Sequence, residues 1–202
     1  MDGILQSNVD SAFQASSVYI PANYGWSLGL FGGVEQAMIY IKEAYRRAND
    51  YFEPMIEYSQ IMEADILLIH GHTEEAMVKL DGVVGLEATD DVNWRFGFLS
   101  YVVGIRQSLG MGDWETAVKR ADDFLKFLRK SNVVTYLAQA LHLKGLALLQ
   151  LNQCKEAHDI LVEAHELAHS IGARRIDWQV LYTLAHVMEK KGDATQAQAY
   201  YA

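Results

Sequence analysis

Apolar residues along this chain recur at steps of four and three, most regularly over residues 138–171. There Leu141, Gly145 and Leu148 fall on one face of a helix, and Ala157, Leu161 and Ala164 on one face of a second. A short polar turn around Asn152 divides them, which predicts two antiparallel helices with the small residues Gly145 and Ala157 at their closest approach. The alanine is found again at Ala37, Ala76, Ala117 and Ala197, giving intervals of 39, 41, 40 and 40 residues. The turn residue recurs at the same intervals, five positions before each alanine, at Gly32, Gly71, Gly112 and Gly192. Downstream, Ile41 with Ala44, Leu80 with Val83, and Ala121 with Phe124 keep the step of Leu161 with Ala164, and Tyr201 begins it a fifth time. Upstream, Gly25, Ala64 and Ala185 keep the small residue. The third copy departs, with Ile105 at that place and Gly104 beside it, which predicts a rotated first helix or a turn one residue longer.

A lone hairpin cannot bury both of its stripes, so it requires neighbours stacked against it. The pattern predicts an all-α, right-handed superhelical array of antiparallel helix hairpins, an α-solenoid. The array is expected over 19–202, in units of about 19–50, 54–86, 92–130, 134–172 and 174–202, the last incomplete. Its small, large apolar and alanine positions resemble the tetratricopeptide repeat. The spacing near 40, with phrases such as AHELAHSIG at 164–172 and LGLFGGVEQA at 28–37, looks like the longer repeats of the maltose-regulator type. Those repeats belong to large bacterial signalling ATPases, transcription activators and cyclase-linked regulators.

The resemblance implies protein or peptide recognition, or sensing within a larger regulator, through a concave face lined by the first helix of each unit. Carried onto this chain, it implicates Trp26, Tyr58, Asp65, Arg106, His142, Tyr182 and His186 as ligand-facing residues. Aromatics mixed with isolated charges suit a peptide or a partner's helix. The competing reading is that several of these residues only touch neighbouring helices of the array. The resemblance also permits a small-molecule effector in the groove.

Composition narrows the classes further. Half of the 202 residues are hydrophobic and only Pro21 and Pro54 are proline, as an all-helical stack requires. No run of 18 apolar residues is present, so a membrane span is not expected. The start, MDGILQSNVDS, has no basic region ahead of an apolar core and does not read as a secretory signal. A single cysteine, Cys154, excludes an internal disulfide framework and suits the reducing cytoplasm. The net charge of −9 argues against direct nucleic-acid binding. Lys119, Arg120, Lys126, Arg129 and Lys130 share a helix with Asp122 and Asp123 and read as a solvated mixed face.

Residues 1–18 are rich in Ser, Asn, Gln and Asp and are expected to form a linker or N-terminal extension, with the first helix opening near Pro21. Thr73, Asp113 and Asp193 are placed as helix caps, Asp193 with Gln196. GLEATDDVN at 85–93 reads as the longest loop; its carboxylates lack the alternating spacing of a calcium loop. The chain closes on QAQAYYA where arrays usually carry a polar cap, which suggests a piece of a longer protein or an end that docks on a partner.

The sharpest chemical motif is HELAH, an H-E-x-x-H match with His165 and His169 one turn apart and Glu166 placed as a base. Glu189 lies within range of a third zinc ligand. Against a zinc peptidase, Arg175 stands where one class of such enzymes needs histidine, and no strand-like alternation supplies the sheet edge that aligns substrate. His158 reads as a surface residue, His70 and His72 as flanks of a turn, and Cys154 as a half-buried filler. Gly29, Gly32 and Gly33 lack the lysine and hydroxyl of a phosphate loop. The sequence therefore predicts a binding module without catalysis or cofactor of its own, with the peptidase as the alternative from another class.

Overall fold

The computed structural model describes residues 2–51, 53–83 and 97–202, and among these no strand occurs. The chain forms two compact units, Met1–Val84 and Gly85–Ala202. The first holds α1 (Asp2–Leu30), α2 (Val34–Tyr51), a 3-10 turn (Glu53–Met55), α3 (Ile56–Ile69) and α4 (Thr73–Leu80). The second holds α5 (Gly97–Gly110), α6 (Trp114–Lys130), α7 (Leu137–Gln150), α8 (Cys154–Ser170), α9 (Arg174–Lys191) and α10 (Ala194–Tyr201). Odd helices open the hairpins and even helices close them. Within each unit a helix packs on its successor, and odd helices also pack on one another: α1 on α3, α5 on α7, α7 on α9.

The repeated residues do what their spacing predicts. Ala37, Ala76, Ala117 and Ala157 have no exposed surface and Ala197 almost none. Gly32, Gly71, Gly112 and Gly192 take the left-handed conformation, as does Asn152 at φ 60°. Glycine adopts it freely, and asparagine is among the few other residues that tolerate it. Each turn closes with the same backbone bond, the N–H of Gly33, His72, Asp113, Gln153 or Asp193 reaching the carbonyl five residues back at 2.9–3.0 Å. This is the Schellman closure of a helix end. Asp113 and Asp193 then cap the following helices, accepting from the N–H of Thr116 and Gln196. Thr73 does not; it lies inside α4, whose N-cap position is His72, and His72 instead faces Glu75 at 3.3 Å.

The limits of two helices depart from expectation. Helix α1 begins at Asp2, so residues 2–18 are helix and not linker, and Pro21 stands in its interior. Proline offers no N–H to the carbonyl of Ser17. Arg47 of α2 replaces that donor, its Nη1 meeting Ser17 O at 3.0 Å while Glu43 holds its Nε at 2.6 Å. Helix α4 ends at Leu80 and the chain turns at Gly82, φ 78°, leaving Val83 beyond the helix. At 8 residues α4 is half the length of α6 and α8, which have 17. The expected loop at 85–93 and the expected start of the third unit near residue 92 lie outside the described residues.

The third hairpin keeps its turn length. Helices α5 and α7 end at Gly110 and Gln150, the same 40 residues apart as the turn residues Gly112 and Asn152. Ile105 occupies the place of Gly145 and is fully buried, while fully buried Ala121 stands where the fourth hairpin has Leu161. In the fourth hairpin it is Leu161, not Ala157, that lies nearest the glycine: a Cβ on Gly145 would fall 2.5 Å from its Cγ.

Candidate functional site

The residues read as ligand-facing all sit on odd helices, and the structure divides them. Between α1 and α3, Trp26 Nε1 donates to Asp65 Oδ2 at 2.8 Å, and Asn23 Nδ2 donates to the Tyr58 hydroxyl at 2.8 Å. Asp65 is fully buried and Tyr58 nearly so, stacked on Tyr19. His70, beside its turn glycine, also reaches across, with Nε2 2.8 Å from Gly29 O. A carbonyl can only accept, so this nitrogen carries the proton.

Between α7 and α9, His142 Nε2 lies 3.0 Å from Thr183 Oγ1. The Thr183 hydroxyl gives its hydrogen to Gln179 O at 2.9 Å, so its oxygen accepts from His142 and fixes the Nε2–H tautomer. Burial, reinforced by the charges of Arg106 and Arg175, pushes the His142 pKa down to about 3. The ring is a neutral rivet between helices. Lys190 completes this seam by donating to Leu149 O at 2.9 Å and Asn152 Oδ1 at 3.0 Å. Tyr58, Asp65 and His142 thus serve contacts between consecutive first helices. Trp26 is half-buried and bonded to Asp65, and Arg106 is half-buried on α5.

Tyr182 and His186 differ, because they lie on an open face of α9. Trp178, Tyr182 and His186 follow one another at steps of four, with ring centroids 6.3 Å and then 4.6 Å apart. Tyr201 of α10 leans on Tyr182 at 5.7 Å and donates its hydroxyl to Glu189 at 3.1 Å. That contact and desolvation raise the Tyr201 pKa, desolvation being the larger cause. Trp178 was not among the residues singled out in the sequence, although its four-residue step to Tyr182 was visible there.

The HELAH histidines meet one carboxylate. His165 Nδ1 lies 2.6 Å and His169 Nδ1 3.4 Å from Asp177, in the first turn of α9. Glu166 is exposed, and Glu189 is engaged by Tyr201. Among the described residues no group of three His, Cys, Asp or Glu is arranged to hold a metal ion, and no helix is long and apolar enough to cross a membrane. Of the basic residues read as a solvated face, Arg120 turns inward to Gly104 O at 2.6 Å and Arg129 pairs with Glu163 at 2.9 Å. Two shallow hollows, about 510 Å³ beside Tyr40 and Arg46 and about 410 Å³ beside Cys154 and Asp159, are lined by none of the seven nominated residues.

No protein-family model matches the sequence, and no curated protein matches it. Solved structures do. MamA 41-end from Desulfovibrio magneticus RS-1 is similar at a TM-score of 0.52 and 17% identity, over 92% of this chain and 91% of that one. MamA RS-1 ArsTM double mutant gives 0.52 and 16%, over 92% and 90%. At such identity the likeness carries the fold, an all-α, tetratricopeptide-like array of helix hairpins.

Proposed function

We propose that this chain is a non-catalytic protein- or peptide-binding module, working in the cytoplasm as part of a larger bacterial regulator of the maltose-regulator type. The observation that carries the binding role is the aromatic ladder of Trp178, Tyr182 and His186 on α9. Aromatic rings offer large contact area with few rotatable bonds to freeze, and a row at helical spacing suits an apposed helix. The regulator context rests on the 40-residue period alone.

The test uses the whole chain as bait in an extract of its own cells, alongside Trp178→Ala and Tyr182→Ala. Loss of captured protein from both variants, with unchanged circular dichroism, supports the reading; full capture by both overturns it. The competing zinc-peptidase reading requires zinc-dependent cleavage abolished by Glu166→Gln, whereas under the binding reading that variant behaves as wild type.

A further inference from the structure

The 40-residue register sets two glutamines in one row, Gln139 on α7 and Gln179 on α9. Gln139 stands about 160° round α7 from Leu141, whose stripe packs on α8. Both amides therefore lie on the face of the first helices that is turned away from the second ones. Gln139 is 8% exposed, and no hydrogen bond among the described residues uses its amide. Its amide atoms are not sealed from solvent either. A polar group so deeply set and left unpaired is costly until something arrives to bond it. Gln179 is half-buried; its Oε1 accepts from Arg175 Nη1 at 3.3 Å, and no bond among the described residues takes its NH2.

The charges near this row have one sign. Helix α5 carries a single charged side chain, Arg106. Helix α7 carries Lys144, which is spent on Asp122 at 2.9 Å and Glu156 at 3.8 Å, both on even helices. The two acids of α9 are engaged elsewhere, Asp177 by the histidines of α8 and Glu189 by Tyr201. Arg106 and Arg175 stand close enough to His142 that, after burial, they are what holds its pKa down to about 3. A guanidinium has five donors, so a bond such as that to Gln179 does not exhaust it. A chain of net charge −9 thus turns a positive face outward here.

We infer that this face of α5, α7 and α9 binds an extended acidic segment of another protein, its backbone read by the amides of Gln139 and Gln179 and its carboxylates held by Arg106 and Arg175. A primary amide donates and accepts at once, as a peptide group does. Packed neighbouring helices lie about 8–10 Å apart. An extended chain covers that distance in three residues, at about 3.3 Å each. The face belongs to the interior of the array and is distinct from the Trp178–Tyr182 ladder. It goes beyond the ladder's role by fixing the charge and the conformation of what binds.

Fluorescence anisotropy on the whole chain tests this, with a labelled nine-residue peptide of three Glu-Thr-Thr repeats and its Lys-Thr-Thr counterpart. The acidic peptide is expected to bind, more weakly as salt rises, and the basic one not to bind. Gln139→Met and Gln179→Met keep the side-chain length and remove the amide, so each should weaken binding about three- to tenfold. Arg106→Gln and Arg175→Gln should each weaken it about tenfold or more. Circular dichroism and urea melts check folding, and half-buried Gln179 keeps the test decisive if Gln139→Met unfolds. Tyr182→Ala should bind the peptide as wild type does. No binding of the acidic peptide, equal binding of the basic one, or full binding by both methionine variants would overturn the inference. Loss of the peptide in Tyr182→Ala would overturn it too, by placing the peptide on the ladder. Protein capture that persists while the acidic peptide fails to bind refutes this inference and leaves the ladder's role standing.

Discussion

In the fourth hairpin a glycine on the first helix lies under a leucine on the second; 40 residues earlier the same two places hold Ile105 and Ala121. All four residues are buried, and the turns between the helices have the same length. Bulk has moved from one side of the contact to the other. The seams between first helices vary in the same way. Trp26 meets a carboxylate at Asp65, whereas His142 meets a hydroxyl at Thr183. The carbonyls of Gly29 and Leu149 are taken by His70 and Lys190. What the array repeats is a filled volume and a satisfied polar group, with the residues free to change in pairs.

The severest break of that equivalence is Gly145→Ile. Its Cβ alone would lie 2.5 Å from Leu161 Cγ in a site with no exposed surface. Overpacking of this kind costs about 3 kcal/mol or more, and Leu161→Ala alone costs about 2–5 kcal/mol by leaving a cavity. Combined, the two substitutions write the third hairpin's solution into the fourth, and urea denaturation should show most of the stability restored. A double variant as unstable as the sum of the singles would show that the exchange between the hairpins is not compensatory.

This exchange also marks how far the sequence could be read. The alanines, the left-handed turn residues and the pairing of helices were legible because each recurs in fixed register. Ile105 broke the small-residue pattern, and only its partner Ala121 explains it. The start of α1 was hidden because residues 2–18 have little helical stripe and because the donor that accommodates Pro21, Arg47, is 30 residues away from Ser17. Of the nominated residues, the helix was legible and the surroundings were not. Tyr58, Asp65 and His142 were correctly placed on first helices, but a polar residue that rivets two helices looks in sequence like one that awaits a ligand.

The seams can be separated by their chemistry. Trp26→Phe keeps the ring but removes the N–H from the buried Asp65 carboxylate, and is expected to cost about 2 kcal/mol in thermal or urea melts. His142 gives a pH signature instead. Its pKa is about 3 in the folded chain against about 6.5 unfolded, so on acidification the unfolded state takes up the proton first. The stability supplied by the neutral ring is full above about pH 6.5 and is lost as the pH falls towards 3, at about 1.4 kcal/mol per unit. Melts at pH 7 and pH 5 should therefore differ by about 2 kcal/mol more in wild type than in His142→Gln. An equal pH dependence in the two proteins would mean that His142 is not held neutral.

The smallest effect concerns the first hairpin, where a side chain replaces a backbone donor. Arg47→Met leaves the half-buried Ser17 carbonyl without the bond it now accepts, at an expected cost of about 1 kcal/mol. Pro21→Ala returns a backbone N–H four residues after Ser17, and the ordinary helical bond can then form. On that background Arg47→Met should cost much less, because the carbonyl no longer depends on arginine. Glu43, which holds Arg47 and whose own carboxyl is drawn down to about 2 first by Arg46 and then by Arg47, remains ionised throughout the measurement at neutral pH. A double-mutant cycle in urea reads the difference as a coupling energy. If Arg47→Met costs the same with and without Pro21, the arginine contributes through packing on α1 and not as the donor that the proline lacks.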